Sequence, residues 1–125
     1  MKNIFLTSFI LFVFGSLKAQ TSIDLSGKIF QNEKNTINSS CELKFKSNTQ
    51  VVYLITNVIN GKTYIDECIG KSTVQGNKIS IICTCADKEI YPDPIEDSFT
   101  YDSQSKFLTS GKRSIDGKNI IWKLK

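Results

Sequence analysis

The chain has 125 residues, with 16 lysines and arginines against 12 aspartates and glutamates, a formal net charge of +4, and no histidine. So small a positive charge does not indicate a nucleic-acid-binding protein. The absence of histidine excludes Ser-His-Asp and Cys-His catalysis and removes the commonest ligand of zinc and copper sites.

Residues 1–19 have the composition of a secretory signal peptide. Lys2 supplies the basic start, Ile4 to Phe14 form the apolar segment, and Leu17-Lys18-Ala19 forms the cleavage box, so we expect cleavage near Ala19-Gln20. The apolar run is too short to span a membrane. The mature chain is then a single secreted or periplasmic domain of residues 20–125, and loss of Lys2 and Lys18 lowers its net charge from +4 to +2.

Alternating apolar and polar residues predict strands in the first half of this domain, because side chains alternate faces along a strand. The predicted strands are Ser22 to Phe30, Cys41 to Lys46 and Gln50 to Ile59, separated by polar loops at Gln31 to Ser40 and at Ser47 to Thr49. Asn60-Gly61 follows at once and predicts a hairpin with a type I′ turn.

The next hairpin, from Thr63 to Cys85, contains three of the four cysteines. Gly76-Asn77 predicts a type II′ turn, which would pair Val74 with Ile79 and Cys68 with Cys85. The core face of its second strand would then carry Ile79, Ile81, Cys83 and Cys85.

The four cysteines behind a signal peptide indicate disulfide bonds in an oxidising compartment. Cys83 and Cys85 are two residues apart on one strand, so a bridge between them would be strained. We therefore expect Cys68 to pair with one of them and Cys41 with the other, and both connectivities stay open. A zinc site is disfavoured because Cys83-Thr84-Cys85 lacks the usual C-x₂₋₄-C spacing.

The segment from Ala86 to Ser98 contains both prolines and an acidic cluster, and the prolines predict a loop or a strand crossing between sheets from Tyr91 to Ile95. We take it as a candidate interaction loop, with the residues Tyr91, Asp93, Ile95, Glu96, Asp97 and Phe99. Further strands are predicted around Phe99 and Tyr101, from Lys106 to Arg113 and from Ile120 to Lys125, the last two joined by a turn at Asp116-Gly117.

These patterns predict an all-β domain of about eight mostly antiparallel strands in a meander, stapled by disulfides. Closely spaced turns fit a small barrel and a two-sheet sandwich equally well. No phosphate-binding loop, nucleophile–base pair or cofactor motif occurs in the sequence, so we expect a non-enzymatic domain without cofactor or metal.

The expected function is binding of a protein or of an envelope surface. The alternative is a carrier for a small apolar ligand, with a cavity inside a β-barrel. A carrier would have a large apolar cavity, whereas a binding module would have a filled interior and an exposed apolar or charged patch.

Overall fold

The computed structural model describes residues 22–125, which form a closed barrel of eight antiparallel strands in chain order. The strands are β1 (Ile29–Asn32), β2 (Ser39–Phe45), β3 (Gln50–Ile59), β4 (Lys62–Gln75), β5 (Lys78–Cys85), β6 (Ile95–Asp102), β7 (Phe107–Arg113) and β8 (Asn119–Leu124). The last strand pairs with the first, which closes the sheet. The predicted all-β meander is confirmed, and the barrel replaces the sandwich alternative.

The two predicted hairpins form with the expected turns. Asn60 and Gly61 have φ values of 52° and 77°, as a type I′ turn requires. Gly76 has a φ of 61° and its turn pairs Val74 with Ile79, which confirms the predicted register of β4 and β5. The predicted signal peptide lies outside the described residues.

The predicted first strand, Ser22 to Phe30, is wrong in its position. Only its end belongs to β1, because the chain turns at Gly27, where φ is 77°, and the amide of Lys28 donates to the carbonyl of Leu25 at 2.9 Å. The predicted loop or crossing from Tyr91 to Ile95 lies in the connection 86–94 between β5 and β6, and only Ile95 already belongs to β6. Within residues 22–125 there is no helix long and apolar enough to cross a membrane.

Large side chains from all parts of the barrel fill its interior. The fully buried ones include Leu25, Phe30, Leu43, Phe45, Val51, Ile79, Leu108 and Trp122. Four aromatic pairs meet edge to face, with centroids 5.9 Å apart for Phe30 and Phe45 and 5.6 Å apart for Tyr53 and Trp122. Each such pair contributes about 0.5–1.5 kcal/mol beyond the area that it buries.

Gly70 allows β4 and β5 to approach each other closely. A Cβ atom at this position would collide with the carbonyl oxygen of Ile82 and would lie 2.6 Å from the Cα of Cys83. Both of those atoms belong to the backbone and cannot move aside cheaply. A side chain at Gly70 would therefore push the two strands apart beside the disulfide.

One disulfide joins Cys68 on β4 to Cys85 on β5, across a register pair whose Cα atoms are 4.0 Å apart. Cys41 and Cys83 are free thiols, so the predicted second bridge is not formed. Their strands, β2 and β5, are separated by β3 and β4. Three steps of about 4.8 Å each separate them along the sheet, more than the roughly 4.4–6.8 Å between Cα atoms that a bridge needs.

Candidate functional site

The connections between strands alternate between the two ends of the barrel, because successive strands run in opposite directions. One end, here called the loop end, has the connections 33–38, 60–61, 86–94 and 114–118. The other, here called the closed end, has the connections 46–49, 76–77 and 103–106 together with the N-terminal segment 22–28. The two ends differ in how completely their interior side chains are covered and in which side chains they expose.

At the closed end the N-terminal segment is held across the barrel by the side chain of Asn48. Its amide nitrogen donates to the carbonyl of Ile23 at 2.8 Å, and its oxygen accepts from the amide of Leu25 at 2.7 Å. The amide of Ile23 also donates to the carbonyl of Gly76 at 3.3 Å. These bonds place Leu25 in the interior with no exposed surface, and the closed end is sealed by apolar contact.

At the loop end the interior side chains are only partly covered. Cys41, Tyr53, Ile95, Asp97 and Ile120 are all half-buried there. The buried hydroxyl of Ser110 donates to the two carboxylate oxygens of Asp97 at 2.8 and 2.9 Å. The mouth of the barrel is therefore more polar than its middle.

The two free thiols near this mouth are held in the protonated form. Burial raises the pKa of the Cys83 thiol to about 11, and burial also raises the pKa of Cys41. Burial, and then the neighbouring Cys41, raises the pKa of the Tyr53 hydroxyl. Since the thiolate is the reactive form of cysteine, neither thiol is prepared for nucleophilic chemistry at neutral pH.

One exposed isoleucine lies in, or directly before, each of the four loops at the loop end. The exposed fractions are 91% for Ile37, 57% for Ile59 and 62% for Ile90, and Ile115 is fully exposed. The other exposed large apolar side chains of the described chain all lie on β4 or β5: Tyr64, Ile65, Ile69 and Ile82. Among residues 22–125 the closed end has none, so the exposed apolar side chains lie at the loop end or on β4 and β5.

Hydrogen bonds hold the first two of these loops in shape. In the loop 33–38, the amide of Thr36 donates to the carbonyl of Ser39 at 2.9 Å, and the amide of Ser39 donates to the hydroxyl of Thr36 at 3.1 Å. Ile37 lies within the turn that these two bonds close. Ile59 directly precedes the type I′ turn at 60–61, whose backbone is set by its two positive φ angles.

The other two loops are closed in the same way. The amide of Tyr91 donates to the carbonyl of Asp87 at 2.9 Å, and the carboxylate of Asp87 accepts from the amide of Ile90 at 3.2 Å. In the loop 114–118, the amide of Ser114 donates to the carbonyl of Lys118 at 2.9 Å. Three of the isoleucines therefore lie in turns that internal hydrogen bonds close, and Ile59 lies directly before a turn of defined type.

Basic and acidic residues are mixed among these isoleucines. Each loop contains or directly adjoins a lysine: Lys34, Lys62, Lys88 and Lys118. Two of the acidic residues serve their own turns, because the carboxylate of Asp87 accepts from the amides of Glu89 and Ile90, and that of Asp116 accepts from the amide of Lys118. Both carboxylates therefore accept hydrogen bonds from the backbone of their own loops.

The residues of the candidate interaction loop are placed in different environments. Asp93 and Glu96 are exposed, and Tyr91 and Ile95 are half-buried and contact the core. Phe99 is buried inside β6, and Asp97 binds Ser110. Tyr91 and Asp93 belong to the loop 86–94 at the loop end, and an interaction role for the set stays a prediction.

The sequence analysis missed Ile37, Ile59, Ile90 and Ile115 as a group. A signal was present, since Ile37, Ile90 and Ile115 stand inside polar turn-forming segments, where an isoleucine has no strand face to occupy. Their assembly at one end depends on the barrel topology. The order of the antiparallel strands places them there, although neighbouring members of the group are 22 or more residues apart in the chain.

No known protein family matches this chain, and searches of curated proteins and of solved structures found no significant match. Within residues 22–125, no group of three or more cysteine, aspartate or glutamate side chains is arranged to hold a metal ion. The exposed side chains of the barrel are therefore the basis for inferring a function.

Proposed function

We propose that the protein is a secreted, non-enzymatic binding module that docks on a protein or an envelope surface through its loop end. The observation that carries this proposal is the single exposed isoleucine in, or directly before, each of the four loops there. Covering one isoleucine side chain contributes about 1.5–3 kcal/mol. Because the turns are already formed, little of that free energy is lost in ordering the loops on binding.

The sealed closed end and the filled interior support surface binding over ligand carriage. Trp122, Phe30 and Phe45 occupy the space in which a carrier would hold its ligand, and each is almost fully buried. One observation favours the carrier alternative: the buried indole nitrogen of Trp122 has no hydrogen-bond acceptor in the described part of the chain. Native mass spectrometry of the secreted protein checks it, and a lipid-sized adduct would favour the carrier.

The proposal is tested with envelope fragments of the cells that produce the protein. The loop-end variant Ile37→Ser/Ile115→Ser removes the two most exposed isoleucines. The matched control, Ile69→Ser/Ile82→Ser, removes two exposed isoleucines from the outer wall formed by β4 and β5. The fraction of protein that sediments with the fragments is then measured for both variants and the wild type.

We expect the wild type and the wall variant to sediment with the fragments and the loop-end variant to stay in solution. Equal losses in the two variants would show that exposed isoleucines matter wherever they lie, which contradicts docking by the loop end. A wild type that does not bind would contradict an envelope-surface partner.

A further inference from the structure

We infer that the loop end docks on a lipid bilayer, with the four isoleucines inserted among the acyl chains and the neighbouring lysines at the level of the phosphate headgroups. This inference rests on the proposed function and names the partner of the same surface. Three features of the loop end argue for it: the separation of the isoleucines, the lysine beside each of them and the prior shape of the loops.

The isoleucines lie on, or directly before, four different connections around the rim of the barrel. Adjacent strands lie about 4.8 Å apart, so loops that begin two strands apart leave the barrel roughly 10 Å from each other around its rim. Polar residues flank Ile37 and Ile115 within their turns. A protein partner would need a separate recess for every projection, since stable protein interfaces are closely packed at their centre. A fluid bilayer adapts to each projection without such recesses.

A lysine accompanies each isoleucine at a short distance in the chain. Lys34 precedes Ile37 by three residues, Lys62 follows Ile59 by three, Lys88 precedes Ile90 by two, and Lys118 follows Ile115 by three. The four lysines are all exposed. Long lysine side chains lie along apolar surface while their ammonium groups stay in water, which suits the boundary between acyl chains and phosphates.

The mixture of charges predicts how strongly the lipid composition matters. The loops and their adjoining residues contain the basic residues Lys34, Lys62, Lys88, Arg113 and Lys118, and the acidic residues Glu33, Asp87, Glu89, Asp93 and Asp116. Because the net charge of the loop end is close to zero, attraction to anionic lipids adds little. The insertion of aliphatic side chains therefore carries the binding, and salt has only a weak effect on it.

The test measures cosedimentation of the mature protein with large unilamellar vesicles of phosphatidylcholine and phosphatidylglycerol in equal amounts. Wild type, Ile37→Ser/Ile115→Ser and the wall variant Ile69→Ser/Ile82→Ser are compared at low and at high salt. We expect the loop-end variant to lose about tenfold or more in partition coefficient, since two projections are removed, and the wall variant to match the wild type. High salt should reduce wild-type binding less than twofold or so.

Failure of this inference is distinguishable from failure of the proposed function. If the wild type ignores the vesicles but binds envelope fragments through its loop end, and protease treatment of the fragments abolishes that binding, the partner is a protein and the lipid inference is overturned. Vesicle binding that both variants lose equally, or that high salt abolishes, also overturns it. Loss of loop-dependent binding in both assays overturns the inference and the proposed function together.

Discussion

The two ends of the barrel use apolar side chains in opposite ways. At the closed end, Leu25 is buried under a segment that Asn48 holds by two hydrogen bonds, and the large apolar side chains there are inside. At the loop end, Ile37 and Ile115 are exposed to solvent on turns that backbone hydrogen bonds close. One end of this fold therefore uses its apolar side chains to stabilise the barrel, while the other leaves apolar side chains exposed to solvent, which is the surface of the proposed docking.

The largest expected effect comes from the interior of the closed-end half. Phe30→Ala should lower the free energy of unfolding by about 3–5 kcal/mol, because it leaves a cavity and removes the edge contacts with Phe45 and Tyr101. Ile115→Ser should change it by less than about 0.5 kcal/mol, since its side chain is fully exposed. Urea unfolding measures both, and similar losses in the two variants would contradict the proposed division between the ends.

The disulfide should give the next largest effect. Replacing both of its cysteines in Cys68→Ala/Cys85→Ala should cost about 2–4 kcal/mol, because the bridge closes a loop with a sequence separation of 17 residues in the unfolded chain. Thermal melting without reducing agent makes the measurement. Cys41→Ala is the control and should melt close to the wild type under oxidising conditions. Equal melting of the double variant and the wild type would exclude a stabilising bridge.

A smaller effect is expected from the free thiols at alkaline pH. The pKa of Cys83 is raised to about 11 in the folded protein from an ordinary value of 9.0, so its contribution to stability is fully present below pH 9 and is lost as the pH rises towards 11. The raised pKa values of Cys41 and Tyr53 act in the same direction.

Unfolding free energies measured between pH 7 and pH 11 should therefore fall more steeply in the wild type than in Cys83→Ala. Parallel curves would show that the thiol of Cys83 titrates normally in the folded state. Because burial raises the pKa of Cys83, the same curves also measure how well water is excluded from this thiol at the mouth of the loop end.

Much of the strand order was predictable from the sequence because its signals are local. Asn60-Gly61 and Gly76-Asn77 define their turns through the φ angles that these residues tolerate, and each turn then fixes the register of the strands on both sides. The pairing of Val74 with Ile79 followed from that argument alone. Alternation likewise placed Ile79 and Ile81 on the buried face.

Predictions that depended on contacts between distant residues were less successful. The alternation at Ile23 and Leu25 resembles that of a strand. Leu25 is instead buried because its segment folds across the closed end, where its amide donates to the side chain of Asn48, 23 residues further along the chain. The expected bridge between Cys41 and a cysteine of β5 depended on strands that the barrel keeps apart. No pattern within a short stretch of the sequence indicates either outcome.

Local patterns in the sequence were enough to predict the all-β class, the meander, the two central turns and the pairing of Cys68 with Cys85. They were enough because alternation and turn chemistry act over a few residues. Three features became clear only from the tertiary structure: the sheet closes into a barrel, Cys41 and Cys83 are free, and the exposed isoleucines lie at one end. These isoleucines are Ile37, Ile59, Ile90 and Ile115. Closure arises from pairing between β1 and β8, the first and last described strands, and no pattern within a short stretch of sequence encodes that pairing. The other two features follow from the order of the antiparallel strands around the sheet.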